Sequence, residues 1–240
     1  MVVKPRGASA SLESVVNLAS GDVQVQPLQA TNPDRLLLED FSDRNRMHRF
    51  SNITGGGTWF WTSDNSSSIV PFTLGQQSDF SLALTDSTAW SGVSAHIQVT
   101  LGKSSTARFA NIGVNMRTGS NIQDSARQWV NLCNLDTLVF WAKGSGSVIV
   151  QWTTPLYLQN PAQPILYSAL FVLPIEWQRV AISADNILPM DSRNVVSNVA
   201  PWSTACSQTR NLTFTFDNDS DFWLDDLTLV GHGIQDWVFE

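Results

Sequence analysis

A chain of 240 residues, 42% of them hydrophobic, is long enough for one large domain with a real core, and two small domains are the less favoured division. Its formal net charge of −7 argues against a nucleic-acid partner, because phosphates require clustered Lys and Arg. No uninterrupted apolar run approaches the roughly 18 residues that a membrane helix requires.

The N-terminal stretch, residues 1–34, is rich in Ser, Ala, Val and Gln and is typical of a linker. The alternation Val-Gln-Val-Gln at 23–26 would instead add an edge strand if this arm docks on another surface. We therefore predict a linker or docking arm over 1–34, a β-rich body over 35–232 and a tail over 233–240. The tail contains Trp237 and Phe239, and it either docks as an extra strand or begins a further linker.

Short stretches of alternating apolar and polar residues follow one another through the body and predict β-strands. The clearest of these lie at 36–41, 58–62, 80–84, 95–101, 111–117, 136–142, 148–153, 177–182 and 212–216. Four prolines between residues 154 and 174 predict a long surface loop there. Nine or ten strands with polar turns and no convincing amphipathic helix indicate an all-β fold, a two-sheet β-sandwich or jelly roll.

The last hairpin combines two strands with an acidic turn at 217–221, whose Asp, Asn and Ser residues favour chain reversal. Its second strand places Asp225 and Asp226 inside an apolar run. Adjacent carboxylates there are costly unless at least one is neutralised or hydrogen-bonded. Either one Asp points to solvent at the strand end, or one carboxylate faces a cation or an arginine.

Two cysteines, Cys133 and Cys206, are compatible with a single disulfide in an exported protein, and equally with two buried thiols. They lie too far apart in sequence, with too few His nearby, for a zinc knuckle.

The aromatic content, 10 Trp and 12 Phe against 2 Tyr, suggests that some indoles lie on the surface, since a fully buried Trp needs a partner for its N–H. Aromatic faces pack on sugar rings, and planar polar side chains bridge sugar hydroxyls. The side chains that we expect to project outward for this purpose are Trp59, Trp61, His96, Gln98, Asn115, Arg117 and Gln151, with Trp141 and Trp152 as further candidates. The ordinary alternative is that the indoles are core residues and that the polar positions form a solvated strand face.

Five short sequence motifs occur in a defined order along the chain. They are Glu-Asp-Phe-Ser-Asp at 39–43, Gly-Gly-Thr-Trp-Phe-Trp at 56–61, the run at 138–146, Trp177 before a strand, and Phe-Trp-Leu-Asp-Asp-Leu at 222–227. This ordered set, over about residues 36–230, resembles carbohydrate-binding modules of the family 11 and family 30 type and CIA30-like domains. The resemblance implies a galactose-binding-like jelly roll.

The same resemblance implies a structural calcium ion. In such modules the opening acidic stretch and the closing Asp-Asp strand lie side by side, often around calcium, which nominates Asp40, Asp43 and Asp225 as ligands. Calcium takes six to eight oxygen ligands. Ser42 stands where the family pattern often has an acid, which removes one charged ligand.

The function implied by the resemblance is non-catalytic binding of a β-glucan or cellulose-like polysaccharide by an exported, extracellular or cell-surface protein. Catalysis is disfavoured because two of the four Glu lie in the arm and at the terminus, the three His are scattered, and no G-x-S-x-G motif is present. The alternative is a structural subunit of a surface layer, filament or adhesin, self-associating by strand addition of residues 1–34. Loss of β-glucan binding in Trp59→Ala or Trp61→Ala would favour the first reading.

Overall fold

The computed structural model describes residues 34–54, 57–74, 79–103, 108–117, 129–156, 165–191 and 194–239, which all fall within one unit, Asp34–Glu240. The predicted arm lies outside these ranges except for Asp34, which begins the first strand. Its linker or docking role, and self-association through it, therefore stay predictions.

Within the described ranges, two antiparallel sheets of seven strands each form the fold. The first sheet contains β1 (Asp34–Glu39), β3 (Ser68–Val70), β4 (Leu84–Thr85), β5 (Ser94–Thr100), β7 (Thr137–Ser145), β10 (Gln178–Ser183) and β14 (Ser220–Gly231). The second contains β2 (Trp59–Ser63), β6 (Ala110–Asn115), β8 (Ser147–Thr153), β9 (Leu166–Val172), β11 (Leu188–Asp191), β12 (Asn194–Val195) and β13 (Asn211–Phe216). The predicted all-β, two-sheet sandwich is confirmed.

The strand order positions the two outer faces. The first sheet runs β10-β7-β14-β5-β3, with β1 pairing to β14 and β4 to β5. The second runs β12-β11-β9-β8-β13-β6-β2. The last hairpin therefore joins the two sheets, because β13 lies in the interior of the second sheet and β14 in the interior of the first.

Helices are minor elements of the described chain. They are the single turns α1 (Ser51–Thr54), α2 (Trp202–Ala205) and α3 (Asp236–Phe239), with 3-10 turns at Phe80–Ala83 and Ala184–Asn186. None of the helices in the described ranges is long and apolar enough to cross a membrane.

An aromatic layer between the sheets fixes how they pack. Phe140 of β7 meets Phe214 of β13 edge to face, with ring centroids 5.4 Å apart. Phe222 of β14 lies 5.5 Å from Phe214 and 5.3 Å from Phe216. Aromatic pairs of this kind contribute about 0.5–1.5 kcal/mol beyond the burial of their surface. The alternation that predicted these strands thus directs one face of each into a shared core.

Two predictions about strands are wrong. The structure has fourteen strands in its described part, not nine or ten, because strands of two to four residues such as β4 and β12 are too short to show alternation. The segment 154–174 is also not a continuous loop, since it contains β9. The prolines flank β9 without interrupting it, so they remove no hydrogen bond from the ladder.

The tail does not form an extra strand in its described residues. It ends in α3, where Trp237 is 2% exposed and Ile234, just before the helix, is also buried in the core. Asp34 Oδ2 accepts hydrogen bonds from the Gly233 N–H (2.9 Å) and from Gln235 Nε2 (3.2 Å). The start of the first strand therefore anchors the C-terminal turn.

The buried carboxylate of the last strand is Asp225. Its Oδ2 accepts from the Ser91 N–H (3.0 Å) and Ser94 Oγ (2.8 Å), and its Oδ1 accepts from the Asp226 N–H (2.8 Å). Burial raises the pKa of Asp225 to about 6. Asp225 does not point to solvent, and these donors stand where an arginine was the predicted alternative; a cation beside it stays a prediction. Asp225 fastens the loop around Trp90 to the first sheet.

The two cysteines form a disulfide, Cys133–Cys206, with a sequence separation of 73 residues. It joins the segment before β7 to the residue that follows α2. The alternative of two free thiols is therefore not the one found.

A buried histidine, His48, links the loop after β1 to the end of β6. Its Nε2 donates to the Met116 carbonyl (3.0 Å), and its Nδ1 accepts from the Phe50 N–H (3.1 Å). Both ring nitrogens are thus used by the neutral imidazole. Burial lowers the pKa of His48 to about 4 from 6.5.

We expect His48 to make the fold acid-sensitive. His48 takes up a proton near pH 6.5 in the unfolded chain but only near pH 4 in the folded chain. Its contribution to the free energy of unfolding is therefore complete above pH 6.5 and is lost as the pH falls. The His48 contribution to the free energy of unfolding falls by about 3 kcal/mol between pH 7 and pH 4. Urea unfolding of both proteins at both pH values isolates this contribution as a difference: on acidification the wild type should lose about 3 kcal/mol relative to His48→Gln, since the buried carboxyl groups of Glu39 and Asp225 act equally in both proteins. Equal losses in the two proteins would contradict the assignment.

Candidate functional site

The outer face of the second sheet carries a band of small polar side chains. Alternate residues of β6, β13, β8 and β9 are buried in the core, so the residues between them face outward. The outward residues that we call the polar band are Asn111, Gly113, Asn115, Gln151, Ser168, Asn211, Thr213 and Thr215.

Strand register aligns four of these residues in a row. Thr213 pairs with Gly113 on one side and with Gln151 on the other, and Gln151 pairs with Ser168. Three inter-strand spacings make the row about 14 Å long. Its members are recessed although they face outward, since Gln151 is 8% exposed and Ser168 1% exposed. The row is thus recessed below its neighbours, and we call this recessed row, with the side chains that border it, the trough.

Hydrogen bonds fix the orientation of the Gln151 carboxamide. Thr215 Oγ1 donates to Gln151 Oε1 (2.6 Å), and Gln151 Nε2 donates to Ser168 Oγ (3.4 Å). Asn115 Nδ2 donates to Thr58 Oγ1 at 3.4 Å. The long distances of the second and third bonds leave donor capacity for a ligand.

Two buried carboxamide oxygens of the band, Asn111 Oδ1 and Asn211 Oδ1, have no hydrogen-bond partner among the described residues. Asn211 pairs with Asn115, which lies four residues after Asn111 on β6. The side chains of Asn111 and Asn211 therefore lie on adjacent strands and about 13 Å apart along the strand direction. A buried acceptor without a partner costs about 1–3 kcal/mol. Such a cost is explained if a bound molecule supplies the donors.

Apolar side chains flank the polar floor. Phe60 of β2 lies over Gly113, where a Cβ would stand 2.8 Å from Phe60 Cζ and 2.6 Å from Thr213 Cγ2. Glycine is therefore required there for the ring to lie on the sheet. On the other side, Leu188 pairs with Ser168, and the exposed Leu170 follows on the same strand as Ser168.

The outer face of the first sheet is aromatic. Trp90 stacks on Trp141 with ring centroids 3.6 Å apart. Trp223 is flanked by His96, stacked at 3.8 Å, and by Lys143, whose Nζ lies 4.5 Å from the Trp223 centroid. Trp177 completes this surface, with its ring centroid 6.3 Å from that of Trp223.

Hydrogen bonds hold the aromatic face in place. The Thr88 carbonyl accepts from Trp177 Nε1 (2.9 Å) and Lys143 Nζ (3.2 Å). His96 Nε2 donates to Asp221 Oδ1 at 2.6 Å. The loop that carries Thr88 and Trp90 is in turn fastened by Asp225, so the indoles have fixed orientations.

The prediction that Trp59 and Trp61 project outward is wrong. Trp59 is 2% exposed, and its Nε1 donates to Glu39 Oε2 at 3.1 Å. Trp61 lies on the same face of β2 and stacks on Phe72 at 5.0 Å. The outward aromatic residue of this strand is Phe60. Alternation separated the two faces correctly but could not tell which one was inside.

The remaining predicted residues divide between opposite faces. His96 and Gln98 of β5 lie on the aromatic face, together with Trp141. Asn115 and Gln151 belong to the polar band, and Trp152 is buried in the core. Arg117 follows β6 and donates to the Trp237 carbonyl. The structure therefore does not bring the predicted set together, and the role of each residue in binding stays a prediction.

Several site residues were missed by the sequence reasoning. Asn111, Asn211, Thr213 and Thr215 share the alternation of the residues that were found, so their period was an available signal. Trp223 alternates with Phe222 and Leu224, which was a similar signal. Trp90 lies in a loop and gave none.

The predicted calcium ligands do not form a ligand set in the structure. Asp40 accepts hydrogen bonds from Ser42 and pairs with Arg49, while Asp225 accepts the three hydrogen bonds named above. Asp43 Oδ1 accepts from the Asn45 N–H. No group of three or more His, Cys, Asp or Glu in the described ranges is arranged to hold a metal ion. The three carboxylates as they stand thus do not fit calcium, and calcium binding stays a prediction.

No protein-family model and no curated protein matches the chain. Among solved structures, the family 11 carbohydrate-binding module of the cellulosomal cellulase Lic26A-Cel5E of Clostridium thermocellum aligns at TM-score 0.49 and 9% identity, covering 72% of this chain and 87% of that chain. A family 11 module from Clostridium thermocellum in complex with a beta-1,3-1,4-mixed-linked tetrasaccharide aligns at TM-score 0.49 and 9% identity, covering 72% and 89%. A family 30 module aligns at TM-score 0.42 and 15% identity, covering 62% and 73%. The similarity concerns the fold alone.

Proposed function

We propose that the chain binds an extended, neutral polysaccharide of the β-glucan or cellulose type along the polar band and leaves it intact. One observation carries the proposal: a recessed row of hydroxyls and carboxamides whose neighbours include two buried oxygens without partners among the described residues. Sugar hydroxyls both donate and accept, so they suit carboxamides that offer an N–H donor beside a free oxygen.

The flanks of the trough support a sugar ligand. The ring of Phe60 lies beside Thr213, so a pyranose that bonds to the floor can pack its C–H face against an aromatic surface. Leu170 and Leu188 offer a second apolar border on the opposite side. Polar residues between two apolar borders suit a pyranose ring, which carries hydroxyl groups around its edge and C–H groups on its faces.

The charge of the band supports a neutral and extended ligand. None of the band residues is ionisable, and the chain as a whole is acidic, so the trough offers nothing to neutralise a charged polymer. The floor crosses four adjacent strands as a straight row, which suits a ribbon-like β-linked glucan better than a coiled glycan.

The same residues support binding without cleavage. Glycoside hydrolysis uses a pair of carboxyl groups on either side of the scissile bond. The band supplies amides and hydroxyls in these positions. They can hold the glycan but cannot act as the acid or the nucleophile.

The disulfide supports an extracellular or cell-surface location. Disulfides persist in oxidising environments and are rare in reducing ones. A polysaccharide ligand would be met in the same surroundings.

We expect Asn111→Ala/Asn211→Ala to weaken binding to soluble β-glucan at least about tenfold, since each oxygen is assigned one ligand hydrogen bond. The same change should not lower stability, because neither oxygen has a protein partner to lose and each costs free energy while it is unpaired. Affinity electrophoresis in gels containing β-glucan measures the first effect, and thermal unfolding measures the second.

Gln98→Ala is the matched control, because it removes an exposed carboxamide from the opposite sheet. Its mobility in the β-glucan gel should equal that of the wild type. If the band variant were retarded as strongly as the wild type, or if Gln98→Ala alone lost retardation, the polar band would not be the glucan site.

A further inference from the structure

A second hollow lies on the outer face of the first sheet, away from the polar band. Its volume is about 290 Å³, and the residues that shape it are Arg35, Val139, Trp141, Arg179, Asp226 and Thr228. We call it the first-sheet depression.

Strand order places an arginine at each end of the first-sheet depression. Arg179 lies on β10 and pairs with Trp141 of β7, while Arg35 lies on β1, which pairs with β14. β7 and β14 supply the floor between them, where Val139 pairs with Thr228. Three inter-strand spacings separate β10 from β1 by about 14 Å, and the register offsets the two arginine backbones by a further four residues, about 13 Å, along the strands. The depression is therefore longer than one sugar ring.

The guanidinium groups of the two arginines have no partner among the described residues. No ion pair or hydrogen bond joins the side chain of Arg35 or Arg179 to another residue in the described ranges, whereas the side chains of Arg44 and Arg49 pair with Asp86 and Asp40. Two unpaired guanidinium groups beside one carboxylate, that of Asp226, leave an excess positive charge in an otherwise acidic chain. Guanidinium groups bind carboxylates in a bidentate manner.

One wall of the depression is a preorganised indole. Trp141 is held by stacking with Trp90 at 3.6 Å, and the loop of Trp90 is fastened by the buried Asp225. Little rotamer freedom is therefore lost when a ligand packs against Trp141. Asp226 and Thr228 lie close by and can bond sugar hydroxyls.

We propose that the first-sheet depression binds a run of hexuronic acid units in an acidic polysaccharide. Arg35 and Arg179 bind the carboxylates of different sugars in the run, Asp226 and Thr228 bond hydroxyls, and Trp141 and Val139 pack against C–H faces. This site is independent of the glucan site, because the two lie on opposite sheets. A chain with both sites joins a neutral and an acidic glycan.

The test is affinity electrophoresis of the full chain in gels containing polygalacturonate, in calcium-free buffer at low salt. The wild type should be retarded, and Arg35→Gln/Arg179→Gln should lose at least about tenfold in affinity, because two charge-assisted contacts are removed. Arg44→Gln/Arg108→Gln is the matched control, since it removes two exposed positive charges that do not line the depression. Its retardation should equal that of the wild type.

Three results would overturn the proposal: an unretarded wild type, equal retardation of the Arg35→Gln/Arg179→Gln variant, or an equal loss in the control. The last of these would indicate attraction by net charge alone. A parallel β-glucan gel separates the two proposals. The Arg35→Gln/Arg179→Gln variant should keep its β-glucan retardation, and Asn111→Ala/Asn211→Ala should keep its polygalacturonate retardation.

Discussion

Removal of the Cys133–Cys206 disulfide is expected to lower the free energy of unfolding by about 4 kcal/mol. The bond closes a loop with a sequence separation of 73 residues, so its loss returns a large conformational entropy to the unfolded chain. The change is Cys133→Ala/Cys206→Ala, which leaves no thiol to form mixed disulfides. Urea unfolding of the oxidised wild type and of the variant at pH 7 measures the difference in midpoint and slope.

Reduction provides the control for this effect. Wild-type protein unfolded in the presence of a reductant should show the lower stability of the variant, while the variant should not respond to the reductant. A variant within about 1 kcal/mol of the oxidised wild type would show that the loop between the cysteines is already ordered in the unfolded state. Glucan affinity should be unchanged, because the polar band contains neither cysteine.

The strands were predictable wherever one face is apolar over several residues. In β6 the core positions Ile112 and Val114 alternate with Asn111, Gly113 and Asn115, and the period of two is visible in the sequence. In β13 the alternation of Phe and Thr is equally plain. The polar residues of these two strands belong to the polar band. The sequence pattern therefore contained the band residues of β6 and β13, but not how the two strands align with each other.

The assignment of faces could not be predicted, because alternation is symmetric with respect to inside and outside. Trp59, Phe60 and Trp61 offer an aromatic side chain to both faces of β2, and the sequence does not say which face meets the core. His96 and Gln151 likewise both face outward, but from opposite sheets. Only strand order separates them, and strand order depends on pairings between residues distant in sequence.

The role of Asp225 also depends on a distant contact. Its partner Ser91 lies 134 residues earlier, so the sequence could suggest only that some donor satisfies the carboxylate. The resemblance supplied calcium as that partner. In the structure the carboxylate oxygens accept from the Ser91 N–H in the Trp90 loop, from the Ser94 hydroxyl at the start of β5 and from the next backbone N–H of β14. The Trp90 loop itself has no periodic pattern, so Trp90, which stacks on Trp141 of the aromatic face, was missed.

Trp59→Ala is expected to cost about 3–5 kcal/mol of stability and to leave the glucan affinity of the folded protein unchanged. The indole stacks on Phe80 at 5.1 Å and lies 5.3 Å from Phe41, which makes it part of the core under β2. Its N–H is also one of the donors to Glu39, and burial raises the pKa of Glu39 to about 7. Truncation thus leaves a cavity beside a carboxyl group that has lost a hydrogen bond.

Phe60→Ala is the matched variant, because the next residue of the same strand points to the opposite face. It should reverse the pattern, with a smaller loss of stability and weaker retardation in β-glucan gels, since its half-exposed ring borders the trough. Urea midpoints and affinity electrophoresis of the two variants measure both quantities side by side. A Trp59→Ala protein that is stable but no longer binds glucan would place the ligand on the other face of β2. If instead Trp59→Ala loses stability and Phe60→Ala loses glucan binding, the ligand lies on the face of β2 that carries Phe60.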